Sequence, residues 1–123
     1  MFKLLKKSPD WDKVNGSCRV GTLFASPRHM MSAFPEPTLL NSRRAGDGKV
    51  DREWVFSNGK GSYFGIYAFK ATSQYDSEYP EPKRFWEADK IFRLSISGKG
   101  KPPQSFLDFL ESKIHGATTE SEY

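Results

Sequence analysis

Apolar and polar residues alternate most regularly over residues 50–56. Val50, Arg52, Trp54 and Phe56 fall on one side there, and Asp51, Glu53 and Val55 on the other. A period of two predicts a strand. Ser57-Asn58-Gly59-Lys60-Gly61 follows, and its Asn-Gly pair supplies the positive φ of a tight hairpin turn. The return strand is predicted over 63–71, rich in Tyr63, Phe64, Ile66, Tyr67 and Phe69. Residues 18–24 alternate too, with Cys18, Val20, Thr22 and Phe24 opposite Arg19, Gly21 and Leu23. In residues 90–97, Phe92, Leu94 and Ile96 alternate against Ile91, Arg93 and Ser95.

Two segments change to helical spacing. Ser26-Pro27 is a good helix start, because the serine accepts from otherwise unpaired amides and proline fits the first helical position. Met30, Met31 and Phe34 follow, and Pro35 and Pro37 end this short helix. Pro102-Pro103 opens a second helix with Phe106, Leu107, Phe109, Leu110 and Ile114 on a wide apolar face. Lys113, His115 and Gly116 suit its C-terminus. Ser8-Pro9-Asp10-Trp11 can cap one more helical turn, while residues 38–49 and 72–84 read as polar loops. The order predicts an α+β two-layer sandwich: a mainly antiparallel sheet of about four strands, a short helix after the first, and a C-terminal helix. Residues 1–116 form one domain in this reading, and the polar residues 117–123 a frayed tail. Arg52, Tyr67 and Arg93 punctuate the strands, so one sheet face is expected to stay open.

Composition narrows the class. At 123 residues the chain has room for one core, which excludes separate cofactor and substrate lobes. Eighteen aromatics argue against wholesale disorder. The single Cys18 excludes an internal disulfide, and no apolar run approaches the roughly 20 residues of a membrane span. Only Leu4-Leu5 stands where a signal peptide needs a long apolar stretch. A soluble, cytoplasmic protein with no membrane partner is expected. The net charge of +4 is uneven: residues 1–70 carry twelve basic and six acidic side chains, residues 71–123 seven and nine. Such asymmetry can mark an anionic partner, although ordinary solvated surface is the commoner cause. Nucleic acid is possible but not favoured, since no recognition motif accompanies the charge.

Asp51 and Glu53, two apart on one predicted strand face, could serve as paired acids, but Lys49, Arg52 and Lys70 offer them salt-bridge partners. The structural role is favoured. His29 and His115 lack the ligand spacing of a metal site, and no cofactor is expected. A Cys18–His29 pair is conceivable, but a cysteine in an apolar alternation is usually buried and inert. No catalytic residue is therefore assigned, and a small hydrolase is the least favoured alternative. Gly46-Asp47-Gly48-Lys49, beside Arg43-Arg44, suits an anion without having the phosphate-loop spacing. Lys99-Gly100-Lys101 reads as a flexible turn. If one sheet face is open, Tyr67 and Trp86 with Arg52 or Arg93 make a stacking platform. The expected ligand-binding set is Arg43, Arg44, Lys49, Arg52, Tyr67, Lys70, Trp86 and Arg93, facing a protein partner or a small anionic, nucleotide-like ligand. A homodimer sealed by the same aromatics is the further alternative.

In chain order, the helix end Phe34-Pro35-Glu36-Pro37, the run from Gly46-Asp47-Gly48-Lys49-Val50-Asp51-Arg52-Glu53-Trp54 to Phe56, and Ile66-Tyr67-Ala68-Phe69-Lys70 form a pattern. It resembles a group of small, mostly uncharacterised proteins of bacteriophages and mobile elements. In these, a Phe-Gly-x-Pro helix end precedes a "KVD-x-EW" strand, an "IYD-x-K" strand and a "WHIGG" segment. The chain departs at the helix end, at Ala68 in place of Asp, and at Leu94-Ser95-Ile96-Ser97-Gly98 in place of the last motif. The resemblance spans about residues 20–110. It implies a compact accessory protein that modulates host functions, and it names no ligand.

Overall fold

The computed structural model describes residues 1–7, 9, 17–40 and 50–123. Among them the strands are β1 (Lys3–Leu4), β2 (Cys18–Ala25), β3 (Leu39–Leu40), β4 (Arg52–Ser57), β5 (Tyr63–Tyr67), β6 (Phe92–Gly98) and β7 (Thr118–Ser121). The helices are α1 (Pro27–Ala33), α2 (Pro82–Trp86) and α3 (Gln104–Lys113). The fold is α+β, and the sheet is antiparallel with order β1-β4-β5-β6-β2-β7; β3 also pairs with β4. The sheet thus has seven strands rather than about four. The three additional ones are short: β1 and β3, of two residues each, flank β4, and β7 pairs with β2.

The β4–β5 hairpin forms as its sequence predicts. Asn58 Oδ1 accepts from the Lys60 and Ser62 amides at 2.7 and 3.0 Å, and Gly59 takes φ 74°. The hairpin aligns Phe56 with Phe64 and Trp54 with Ile66, and β6 continues the row by placing Ile96 beside Ile66. All three helices touch this face. Phe106 of α3 stacks on Phe64 at 4.7 Å and meets Phe56 at 5.7 Å. Trp54 donates its indole N–H to the Phe34 carbonyl beyond α1 at 2.9 Å, and its ring meets Trp86 of α2 at 4.9 Å. Each such large side chain stabilises the fold by roughly 1.5–3 kcal/mol on burial.

The other face is polar along its centre. Glu53, Tyr67, Ser95 and Thr22 lie in one cross-strand row over β4, β5, β6 and β2. Glu53, Ser95 and Thr22 are buried, as are Val55 and Ser97, so the centre of this face is covered and not open as expected; exposure is confined to its margin around Phe69, Ile91 and Arg93. A Cβ at Gly65 would collide with the Glu53 carboxylate and the Ser97 hydroxyl, so glycine makes the room for that carboxylate.

Several expectations are corrected by this arrangement. The alternation of β2 breaks at an irregularity between Arg19 and Gly21, which lets Val20 and Leu23 both enter the core. The return strand stops at Tyr67, and Lys70 adopts φ 55°, a left-handed conformation uncommon for a side-chain-bearing residue. The 72–84 segment leads into α2. Thr118–Ser121 is a strand rather than part of a frayed tail: Glu122 N–H donates to the Val20 carbonyl at 2.9 Å, and Glu111 accepts from both the amide and the hydroxyl of Thr119. The helical turn expected around Ser8 and Asp10-Trp11 lies outside the described residues. No helix among the described residues is long and apolar enough to cross a membrane.

Candidate functional site

Of the eight residues expected to bind a ligand, Arg43, Arg44 and Lys49 lie outside the described residues, as does the Gly46-Asp47-Gly48 segment. The structure divides four others into two pairs on opposite faces of the sheet. Arg52 and Trp86 lie on the helix-covered face. Tyr67 and Arg93 lie on the other.

The helix-side pair is internally matched. Asp51, only 3% exposed, accepts from the Trp86 indole N–H at 3.0 Å and from Arg52 Nε at 2.9 Å. The Arg52 guanidinium lies 5.2 Å from the Trp86 ring centre and donates to Met31 sulfur at 3.6 Å. Indole, carboxylate and guanidinium therefore satisfy one another and tie the start of β4 to α1 and α2. A shallow cleft of about 420 Å³ lies beside them, with Arg28 and Lys83 also in its lining. Arg28 is itself paired with Asp89. Asp51 and Glu53 do not share a volume as expected: Asp51 turns to the helices, whereas Glu53 lies over Gly65 beside Ser97 on the other face.

Tyr67 and Arg93 line a cleft of about 660 Å³ at the margin of the polar face, within the range of small-molecule sites. Tyr67 and Ser95 are directly paired across β5 and β6, and Arg93 follows two residues along β6 on the same side. Phe69, Ile91 and Phe92 supply its apolar wall, and Arg19 of β2 closes the far side. Phe69 and Ile91 are 48% and 56% exposed, unusual for such side chains near a sheet. Arg19 is held at 3.0 Å by Glu122, just beyond β7. Arg93 is exposed and makes no ion pair among the described residues. The cleft therefore joins a guanidinium with no ion pair among the described residues to an aromatic wall and a tyrosine.

Lys70, the eighth expected residue, approaches neither acid. Its ammonium sits 5.2 Å from the ring centres of both Phe69 and Tyr75, and Tyr75 stacks on Tyr79 at 6.2 Å. Lys70 thus backs the aromatic wall of the cleft instead of entering it. Lys99, Gly100 and Lys101 border a separate notch of about 230 Å³ with Gly61, Ser62, Tyr63 and Phe64.

Cys18 is exposed, not buried, because it begins β2 outside the core. His29 lies beyond the other end of that strand, roughly 20 Å away at 3.3 Å per residue, so the Cys18–His29 pair does not form. Among the described residues no group of three or more His, Cys, Asp or Glu side chains converges as a metal site.

Arg19, Phe69, Ile91, Phe92 and Ser95 were not singled out by sequence as a site. Strand parity carries the missing signal for Arg19 and Ser95, but not for Phe92, which has the opposite parity, nor for Phe69 and Ile91, which lie outside the strands. The β4–β5 register pairs odd with odd positions (Glu53 with Tyr67), and β5–β6 does the same (Tyr67 with Ser95). Odd residues near Tyr67 and Arg93 therefore share a face, and Arg52 cannot join them. No protein-family model matches the chain, and no curated protein matches it.

Proposed function

We propose that this protein is a non-catalytic binding module whose cleft beside Tyr67 and Arg93 takes a small anionic ligand bearing a flat apolar part, as a nucleotide does. Arg93 provides the charge for the anion, with Arg19 as a second donor once released from Glu122. Tyr67 and Phe69 provide the stacking surfaces. The observation that supports this most is Arg93, without an ion pair among the described residues, beside exposed Phe69 and Ile91: a desolvating apolar wall strengthens a charge-assisted hydrogen bond formed next to it. In line with the resemblance to phage and mobile-element proteins, we further propose an accessory role, in which capture of a host-derived ligand or protein is the useful act.

The test is a thermal-shift screen with nucleoside mono-, di- and triphosphates, aryl phosphates and inorganic phosphate, followed by titration calorimetry. A nucleotide-like ligand should give a saturable rise in Tm that inorganic phosphate does not match. Arg93→Ala and Phe69→Ala should each weaken binding about tenfold or more, equivalent to about 1.4 kcal/mol. An unmoved Tm across the screen rejects the small-ligand form and leaves a protein partner for the same cleft.

A further inference from the structure

The chain has two histidines, 86 positions apart, and they meet in the folded protein. His29 lies in α1 and His115 in the turn after α3, with ring centroids 4.8 Å apart and planes inclined at 66°. The cleft proposed above does not use them. We propose that His29 and His115 form a two-imidazole site for a late first-row transition-metal cation such as Zn²⁺, Ni²⁺ or Cu²⁺, joining α1 to the end of α3.

The distances fit such a role. Metal–imidazole bonds are about 2.0–2.1 Å, and a ring centre lies about 1.1 Å behind its nitrogen, so each centroid would stand about 3.2 Å from a shared ion. Two centroids 4.8 Å apart then subtend roughly 97° at that ion, between the octahedral and tetrahedral angles. The His29 ring is also oriented. Its Nδ1 lies 2.8 Å from the hydroxyl of Ser26, a buried residue that caps α1 by accepting from the His29 amide at 3.1 Å. Metal at Nε2 selects the tautomer in which Nδ1–H donates to Ser26, the outer partner that a ligating imidazole usually has. His115 is exposed, and its ring makes no hydrogen bond among the described residues, so it is free to turn either nitrogen toward the ion.

Nearby positive charge is small, although Lys113, two residues before His115, keeps its own. Arg28, adjacent to His29, is paired with Asp89, and Lys113 directs its ammonium to the Phe109 ring at 6.0 Å. With two protein ligands, the remaining positions belong to water, which makes the site open and exchangeable. Imidazole donors favour these borderline ions over Mg²⁺ and Ca²⁺. Protons compete for the same lone pairs, so acid should release the metal.

The experiment is calorimetric titration of the full chain, in a Cys18→Ser background, with Zn²⁺, Ni²⁺ and Mg²⁺. One-to-one saturable binding of Zn²⁺ and Ni²⁺ but not Mg²⁺ is expected. His115→Ala and His29→Ala should each weaken it roughly a hundredfold, because the second imidazole binds intramolecularly. Substoichiometric Cu²⁺ should broaden the imidazole proton resonances of both histidines first. No saturable binding below about 1 mM metal, or binding that survives His115→Ala, would overturn the proposal. Because His115 is exposed, its alanine variant should keep its metal-free Tm, so its result decides the matter even if His29→Ala disturbs α1. The outcome is independent of whether the cleft beside Tyr67 and Arg93 binds any ligand.

Discussion

Arg52 of β4 and Arg93 of β6 belong to the same sheet, yet they end in opposite circumstances. Arg52 is only 15% exposed and spends its charge on Asp51 and the Trp86 ring. Arg93 stands in the open, beside exposed aromatic and aliphatic surface, with no acid opposite it among the described residues. A buried, matched guanidinium holds helices to a strand. An unmatched one bordering apolar surface is available to something else. The difference shows that arginine beside an aromatic ring is a poor indicator of function until the account of its partners is complete.

Substitutions can break this contrast, and the covered face should show the largest effects. Trp54→Ala removes a fully buried indole between α1 and α2 and should cost about 4 kcal/mol in urea unfolding. Asp51→Ala should cost about 3 kcal/mol, because it strands both the Arg52 charge and the Trp86 N–H. If Asp51→Ala instead leaves stability unchanged, the matched cluster is not the anchor described here. On the polar face, Gly65→Ala should cost about 2 kcal/mol by driving a methyl into the buried Glu53 and Ser97, which denaturant midpoints will register. Lys70→Ala keeps the left-handed strain and loses two ring contacts, whereas Lys70→Gly relieves the strain; glycine should be the more stable of the two by about 1 kcal/mol. Arg93→Ala should change stability by less than about 0.5 kcal/mol while it weakens ligand binding. A large stability loss in that variant would place Arg93 with Arg52 and erase the contrast.

The sequence carried the central strands and two of the helices because their signals are periodic or punctuated: Asn58-Gly59 at the hairpin, Ser26-Pro27 at α1, and the apolar face of Phe106, Leu107 and Leu110 in α3. It carried much less where pairing depends on distant chain. Two-residue strands such as Lys3–Leu4 and Leu39–Leu40 have no period to detect. Thr118–Ser121 is polar throughout and becomes a strand only because β2 offers it hydrogen bonds. The candidate site was half legible. Tyr67 and Arg93 do line one cleft, whereas Arg52 lies on the other face by strand parity and Trp86 sits in helix α2, which has no strong sequence period. The pairing of His29 with His115 depends on how α1 and α3 dock, which local sequence does not encode.

Glu111 has a consequence beyond α3. The registry between β2 and β7 turns the Thr119 N–H away from the sheet, where it would offer an incoming chain a place to add another strand. The Glu111 carboxylate already occupies that donor and the neighbouring hydroxyl. A foreign strand arriving there must displace a charge before it gains its first hydrogen bond. The sheet is thereby refused as a template for its own polymerisation on that side, by a residue that lies in no strand.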